Sequence, residues 1–137
     1  MSRNFKDDYT LGIQKENEVF NIIVEYFNDN ITQSKEKYSP YDFVGDNNLY
    51  ELKSRTNKYD TYSTTMITTN KIYDNKNNNK TLIMLFNFTD GLYYIKYDIE
   101  IFKSFKTTIF QRTGRIGTYD KPKEMLWIPI DKLIKIR

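Results

Sequence analysis

The sequence predicts an α/β protein with a central mixed β-sheet flanked by helices, and three stretches carry that prediction. Residues 11–27, LGIQKENEVFNIIVEYF, repeat their apolar positions with helical spacing. Residues 81–88, TLIMLFNF, form an apolar run of the length of a buried strand, and Asp90-Gly91 turns it into LYYIKYD. Residues 40–55, PYDFVGDNNLYELKSR, set two strand-like runs on either side of a GDNN turn.

In chain order, Thr10 is the expected N-cap of the first helix and NDN closes it. Strands are expected at 41–45 and 48–54. The segment 61–73, TYSTTMITTNKIY, carries two signals. Its threonines favour strand, but Met66, Asn70 and Tyr73 are spaced three and four apart, and the segment reads as a second helix. DNKNNNK, residues 74–80, reads as a solvated loop. Short strands follow at 107–112 and 125–130, where Pro129 suggests a sheet edge. The sum is helix, strands, helix, strands around one central sheet.

At 137 residues the chain is expected to form one domain, residues 1–137, with aromatics at 16% to fill a single core. It has no apolar run of about 18 residues to cross a membrane. MSRNFKDDYT does not read as a signal peptide, and without cysteine there is neither disulfide nor thiolate chemistry. The expectation is an intracellular, non-secreted protein of the cytoplasm, a nucleoid or a viral replication site. The net charge of +3 and pI near 8.9 permit a nucleic-acid partner. The chain also lacks alanine and is rich in Lys, Asn, Ile and Tyr, the composition of AT-rich coding sequence, which weakens the charge as a signal.

The absence of histidine excludes more. It removes Ser-His-Asp and Cys-His catalysis, imidazole bases and His-ligated zinc. What remains is oxygen-ligand chemistry, with carboxylates holding a hard cation such as Mg²⁺ and lysine assisting. Strand alternation puts Glu51 and Lys53 on one face and Tyr50 and Leu52 on the other. The turn brings Asp42 back beside them. Asp42 and Glu51 would bind the cation with a main-chain carbonyl and waters, and Lys53 would hold the attacking water or a phosphate oxygen. In a chain this charged, the same triplet also fits a solvated strand face with a minor ion pair. The first helix adds weight to the metal site. With about 100° per residue, Ile13, Phe20, Ile23, Val24 and Phe27 share a face, and Glu16 falls near its middle. Glu18 and Glu25 project oppositely. A carboxylate on a packing face needs a partner or a metal.

These residues resemble the PD-(D/E)XK nuclease superfamily. Gly12-x-x-x-Glu16, Pro40-Tyr41-Asp42 and Glu51-Leu52-Lys53 carry the resemblance, with Tyr41 interrupting the family's Pro-Asp pair. The resemblance implies a restriction-endonuclease-like core and Mg²⁺-dependent phosphodiester cleavage, with Mn²⁺ able to substitute. Asp42 and Glu51 are the implied ligands, Glu16 an auxiliary ligand and Lys53 the assisting cation. The chain's size is similar to that of small stand-alone Holliday junction resolvases, which implies a homodimer acting on branched or duplex DNA in recombination, repair or replication. Lys71 falls where the family often places a polar active-site residue. Arg55, Lys58, Arg112 and Arg115 are candidate phosphate contacts, and Tyr59, Tyr62 and Tyr73 candidate base-stacking residues. Two other readings stand beside this one. A non-catalytic nucleic-acid-binding or assembly module on the same fold would have no need of the four site residues. An RNase H-like nuclease needs acidic residues on several strands, and TLIMLFNF supplies none.

Overall fold

A computed structural model describes residues 5–34, 41–70, 72, 79–110 and 122–137, with the backbone alone for 5–13. Helix α1 (Phe5–Phe27) is followed by β1 (Thr32–Gln33), β2 (Phe43–Val44), β3 (Asn48–Ser54) and β4 (Thr64–Thr68). Then come β5 (Thr81–Phe88), β6 (Gly91–Lys96), the short helix α2 (Ile99–Phe102) and β7 (Lys106–Phe110). Strand β8 (Lys123–Pro129), a 3-10 turn (Ile130–Lys132) and β9 (Ile134–Lys135) end the chain.

The central sheet is mixed and six-stranded, in the order β1-β2-β3-β5-β6-β9. Its β3–β5 pair is parallel, with Glu51 opposite Met84 and Lys53 opposite Phe86; the other pairs are antiparallel. Alternation sorts the side chains by face. On one face Tyr50, Ile83, Leu85 and Tyr94 pack under Val19 and Ile23 of α1. Phe20 stacks on Phe43 at 5.8 Å, and Phe27 meets the rings of Tyr50 and Tyr94 at 5.4 and 5.0 Å. Val24 was expected in this contact but is 37% exposed, on the rim of the helix's apolar stripe.

The opposite face is covered by a second, three-stranded sheet in the order β4-β8-β7. Ile67 of β4 and Leu126 and Ile128 of β8 pack with Leu49, Met84, Phe86 and Ile95 of the central sheet. This sheet corrects three expectations. The domain is not built around one sheet alone. Residues 64–68 are strand and not helix, because their burial alternates with period two and Thr64, Thr65 and Thr68 are stiff at χ1. Pro129 closes β8, the middle strand of its sheet, and pairs there with Thr64, so it ends a strand and does not mark an edge. Helix α1 also starts at Phe5, placing Thr10 inside it and not at its cap. Acidic residues such as Asp7 and Asp8 favour an early helical turn. Among the described residues, no helix is long and apolar enough to cross a membrane.

Candidate active site

The hairpin of β2 and β3 is held from below by one carboxylate. Helix α1 ends at Phe27, and Asn28 follows it with a φ of 49°, the left-handed conformation common after helices. That turn delivers Asp29 into the protein, where it is 7% exposed. Its Oδ1 accepts from the backbone N–H groups of Asp46 (3.1 Å) and Asn47 (3.2 Å) and from Asn47 Nδ2 (3.3 Å). Its Oδ2 accepts from Tyr50 Oη at 2.9 Å. A Cβ on Gly45 would stand 1.9 Å from Asp29 Oδ2, so any larger residue there would displace the Asp29 carboxylate. Lys80 Nζ donates to the Gly45 carbonyl at 2.8 Å. Burial pushes the Tyr50 hydroxyl far above the usual tyrosine range. Nothing in the residue spacing announces Asp29, which reads from sequence as ordinary helix-closing chemistry.

On this hairpin Asp42 departs from the strand register. Phe43 pairs with Tyr50, yet the Asp42 N–H also donates to Tyr50 O at 3.1 Å, so two residues oppose one as in a β-bulge. The Asp42 carboxylate takes over as acceptor, and Leu52 N–H donates to Oδ2 at 2.8 Å. One side chain therefore sits directly against the Glu51-Leu52-Lys53 backbone. Glu51 is buried at 6% exposure, on the face opposite Tyr50, and Lys53 Nζ lies 3.5 Å from its Oε1. The shared face expected of Glu51 and Lys53 is present as an ion pair.

Glu16 reaches the same region from the helix, but its contact is with β1. Gln33 Nε2 donates to Glu16 Oε1 at 3.3 Å and to Asn17 Oδ1 at 3.1 Å. Gln33 pairs with Phe43, and Ser34 N–H donates to Asp42 O at 3.0 Å. Glu16 is thus linked to the Asp42 strand through β1, a role for Gln33 that no sequence pattern signals. Among the described residues, no group of three or more carboxylates stands assembled to hold a metal ion. The pair Asp42 and Glu51 supplies hard oxygen donors of the kind Mg²⁺ takes, since that ion is often held by one or two carboxylates plus waters.

Beyond Lys53 the end of β3 opens into a cleft of about 630 Å³ between the two sheets. Arg55 lies in it, half-buried. Its Nε donates to Thr65 Oγ1 (3.3 Å) and its Nη2 to Met66 O (2.6 Å), and the guanidinium sits 5.8 Å from the centre of the Phe86 ring. Burial lowers its pKa from the usual arginine value. Lys58 is exposed on the following loop. That loop is pinned, because Tyr59 N–H donates to Asp90 Oδ1 (2.9 Å) and Tyr59 Oη to Ile130 O (2.8 Å). The Tyr59 ring is stacked on Tyr93 at 4.1 Å, which uses one of its faces, whereas Tyr62 is 64% exposed. Lys71, Tyr73, Arg112 and Arg115 lie outside the described residues. Trp127, not singled out from the sequence, lines the cleft, and its Nε1 donates to Thr108 Oγ1 at 2.8 Å.

No protein-family model, curated protein or solved structure matches the chain.

Proposed function

We propose that the chain is a Mg²⁺-dependent endonuclease hydrolysing DNA phosphodiester bonds, built on a restriction-endonuclease-like core and similar in action to a small Holliday junction resolvase. One observation carries the reading. The bulge at Asp42 turns its carboxylate onto the backbone of the Glu51-Leu52-Lys53 strand, 2.8 Å from Leu52 N. The order of α1, three antiparallel-linked strands and a β5 parallel to β3 supports the same fold.

In this mechanism Asp42 and Glu51 would hold the cation, Asp42 Oδ1 having no bonding partner among the described residues. When bound, Mg²⁺ lowers the pKa of a ligated water and neutralises charge developing on the phosphate. Lys53 would exchange its contact with Glu51 for one with the attacked phosphate, donating to a non-bridging oxygen while the water oxygen bonds to phosphorus, giving its proton to solvent, and the P–O bond to the leaving oxygen breaks, that oxygen taking a proton from solvent. Glu16, tied to Gln33, stands on the helix as an auxiliary group. To join the site it would have to give up the 3.3 Å bond to Gln33.

The test is cleavage of labelled four-way junction, linear duplex and single-stranded DNA with Mg²⁺, with Mn²⁺ and with EDTA. Strand scission is expected with either metal and none with chelator. Cleavage that persists in EDTA would sink the mechanism, since no histidine or cysteine is present to replace the cation's role.

A further inference from the structure

The cleft past Lys53 has an unbalanced charge. Lys53 and Arg55 line it, and among the described residues no aspartate or glutamate does. Lys53 is paired with Glu51, but Arg55 has no carboxylate partner among the described residues. Its two hydrogen bonds go to a hydroxyl and a carbonyl, which occupy part of its five-donor fork and leave its charge uncompensated. A half-buried cation without a counter-charge is costly in isolation and favours an anion from outside. The rest of the lining mixes threonine, methionine and other small or apolar side chains with four aromatic rings, those of Tyr59, Tyr62, Phe88 and Trp127. Trp127 is anchored through Thr108, Phe88 forms the floor, and Tyr62 stands exposed at the rim. The volume lies within the roughly 300–1,000 Å³ of small-ligand sites.

Anion recognition beside flat apolar surfaces matches one nucleotide. We infer that the cleft receives a single unpaired nucleotide of the DNA, its phosphate between Lys53 and Arg55 and its base against Tyr62 and Trp127. This rests on the endonuclease reading and narrows the substrate to DNA whose strand is unpaired next to the cut, as at a branch point or flap. A base inside a duplex stack cannot lay its face on a side chain without leaving the stack, so an unpaired base has the advantage.

The chain has one tryptophan, which makes Trp127 its own reporter. In EDTA, a short single-stranded thymidylate oligonucleotide should quench its fluorescence and bind more tightly than a duplex of equal length. Thymidine monophosphate should compete better than inorganic phosphate or thymidine alone. Replacing Arg55 would also break its bonds to Thr65 and Met66, so the exposed Tyr62 carries the mutational test. Tyr62→Ala should weaken binding about tenfold. Equal affinity for duplex and single strand, an unchanged affinity in Tyr62→Ala, or phosphate competing as well as the nucleotide would each overturn the inference. Binding without cleavage in Mg²⁺ would defeat the nuclease reading and leave the nucleotide site standing. Cleavage with binding indifferent to Tyr62 would do the reverse.

Discussion

Replacing Asp42 by asparagine and by alanine should separate catalysis from folding, because the structure gives its carboxylate two distinct duties. In the fold it accepts the Leu52 N–H at 2.8 Å, in place of the main-chain carbonyl that a regular strand would offer. Alanine leaves that N–H without an acceptor in a half-buried setting, at a cost of about 1–3 kcal/mol. Asparagine keeps an oxygen there and loses only the charge assistance, about 1 kcal/mol. For a domain of this length roughly 4 °C of melting temperature accompanies each kcal/mol. Asp42→Ala should therefore melt about 4–12 °C below the native protein, and Asp42→Asn no more than about 4 °C below it. Both should lose metal-dependent cleavage of a labelled junction, since an amide is a poor replacement for an anionic ligand. Thermal melts followed by circular dichroism, run beside the cleavage assay, read both duties. Equal destabilisation by the two substitutions would refute the hydrogen-bonding argument, and native cleavage by Asp42→Asn would refute the catalytic one.

Glu16→Gln should lower cleavage sharply while changing stability by about a few tenths of a kcal/mol, because an amide at that position can still accept from Gln33. Glu18→Gln, on the exposed side of α1, should change neither quantity; equal effects from the two would remove Glu16 from the site. Burial raises the hydroxyl pKa values of Tyr50, Tyr93 and Tyr94, that of Tyr94 to about 12. A raised native pKa means full stability below the unfolded value of about 10 and loss above it, so the contribution of these tyrosines to the unfolding free energy should be constant up to that pH and fall as pH rises beyond about 10. Denaturant titrations across that range check it, and Tyr50→Phe should flatten the fall.

Strands β3 and β5 were legible to the residue, since Leu52 and the TLIMLFNF run follow patterns set by one sheet face or by burial on both. The common face of Glu51 and Lys53 follows from period-two geometry alone. The segment containing β4 was misread because threonine propensity and a three-four spacing conflicted. The deciding factor was its partner β8, about 60 residues downstream and invisible to any local window. The bulge at Asp42 was equally hidden. It arises from a side chain substituting for a carbonyl, and no residue type reports that in advance. Asp29 was missed for a related reason, because its partners come from a turn that only the fold brings near.

The bonds of Asp29 also bear on motion. Asp46 and Asn47 are exposed, at the tip of a hairpin where amide protons ordinarily exchange with solvent almost at once. Here their N–H groups are held by a buried carboxylate at the end of α1, so releasing them means withdrawing Asp29 from the interior and freeing the Tyr50 hydroxyl. Their exchange should track the opening of the helix–sheet interface, not loop fraying. The tip of the hairpin is thereby coupled to the helix–sheet interface, and the strand bearing Glu51 and Lys53 is tied through Asp29 to the end of the helix bearing Glu16.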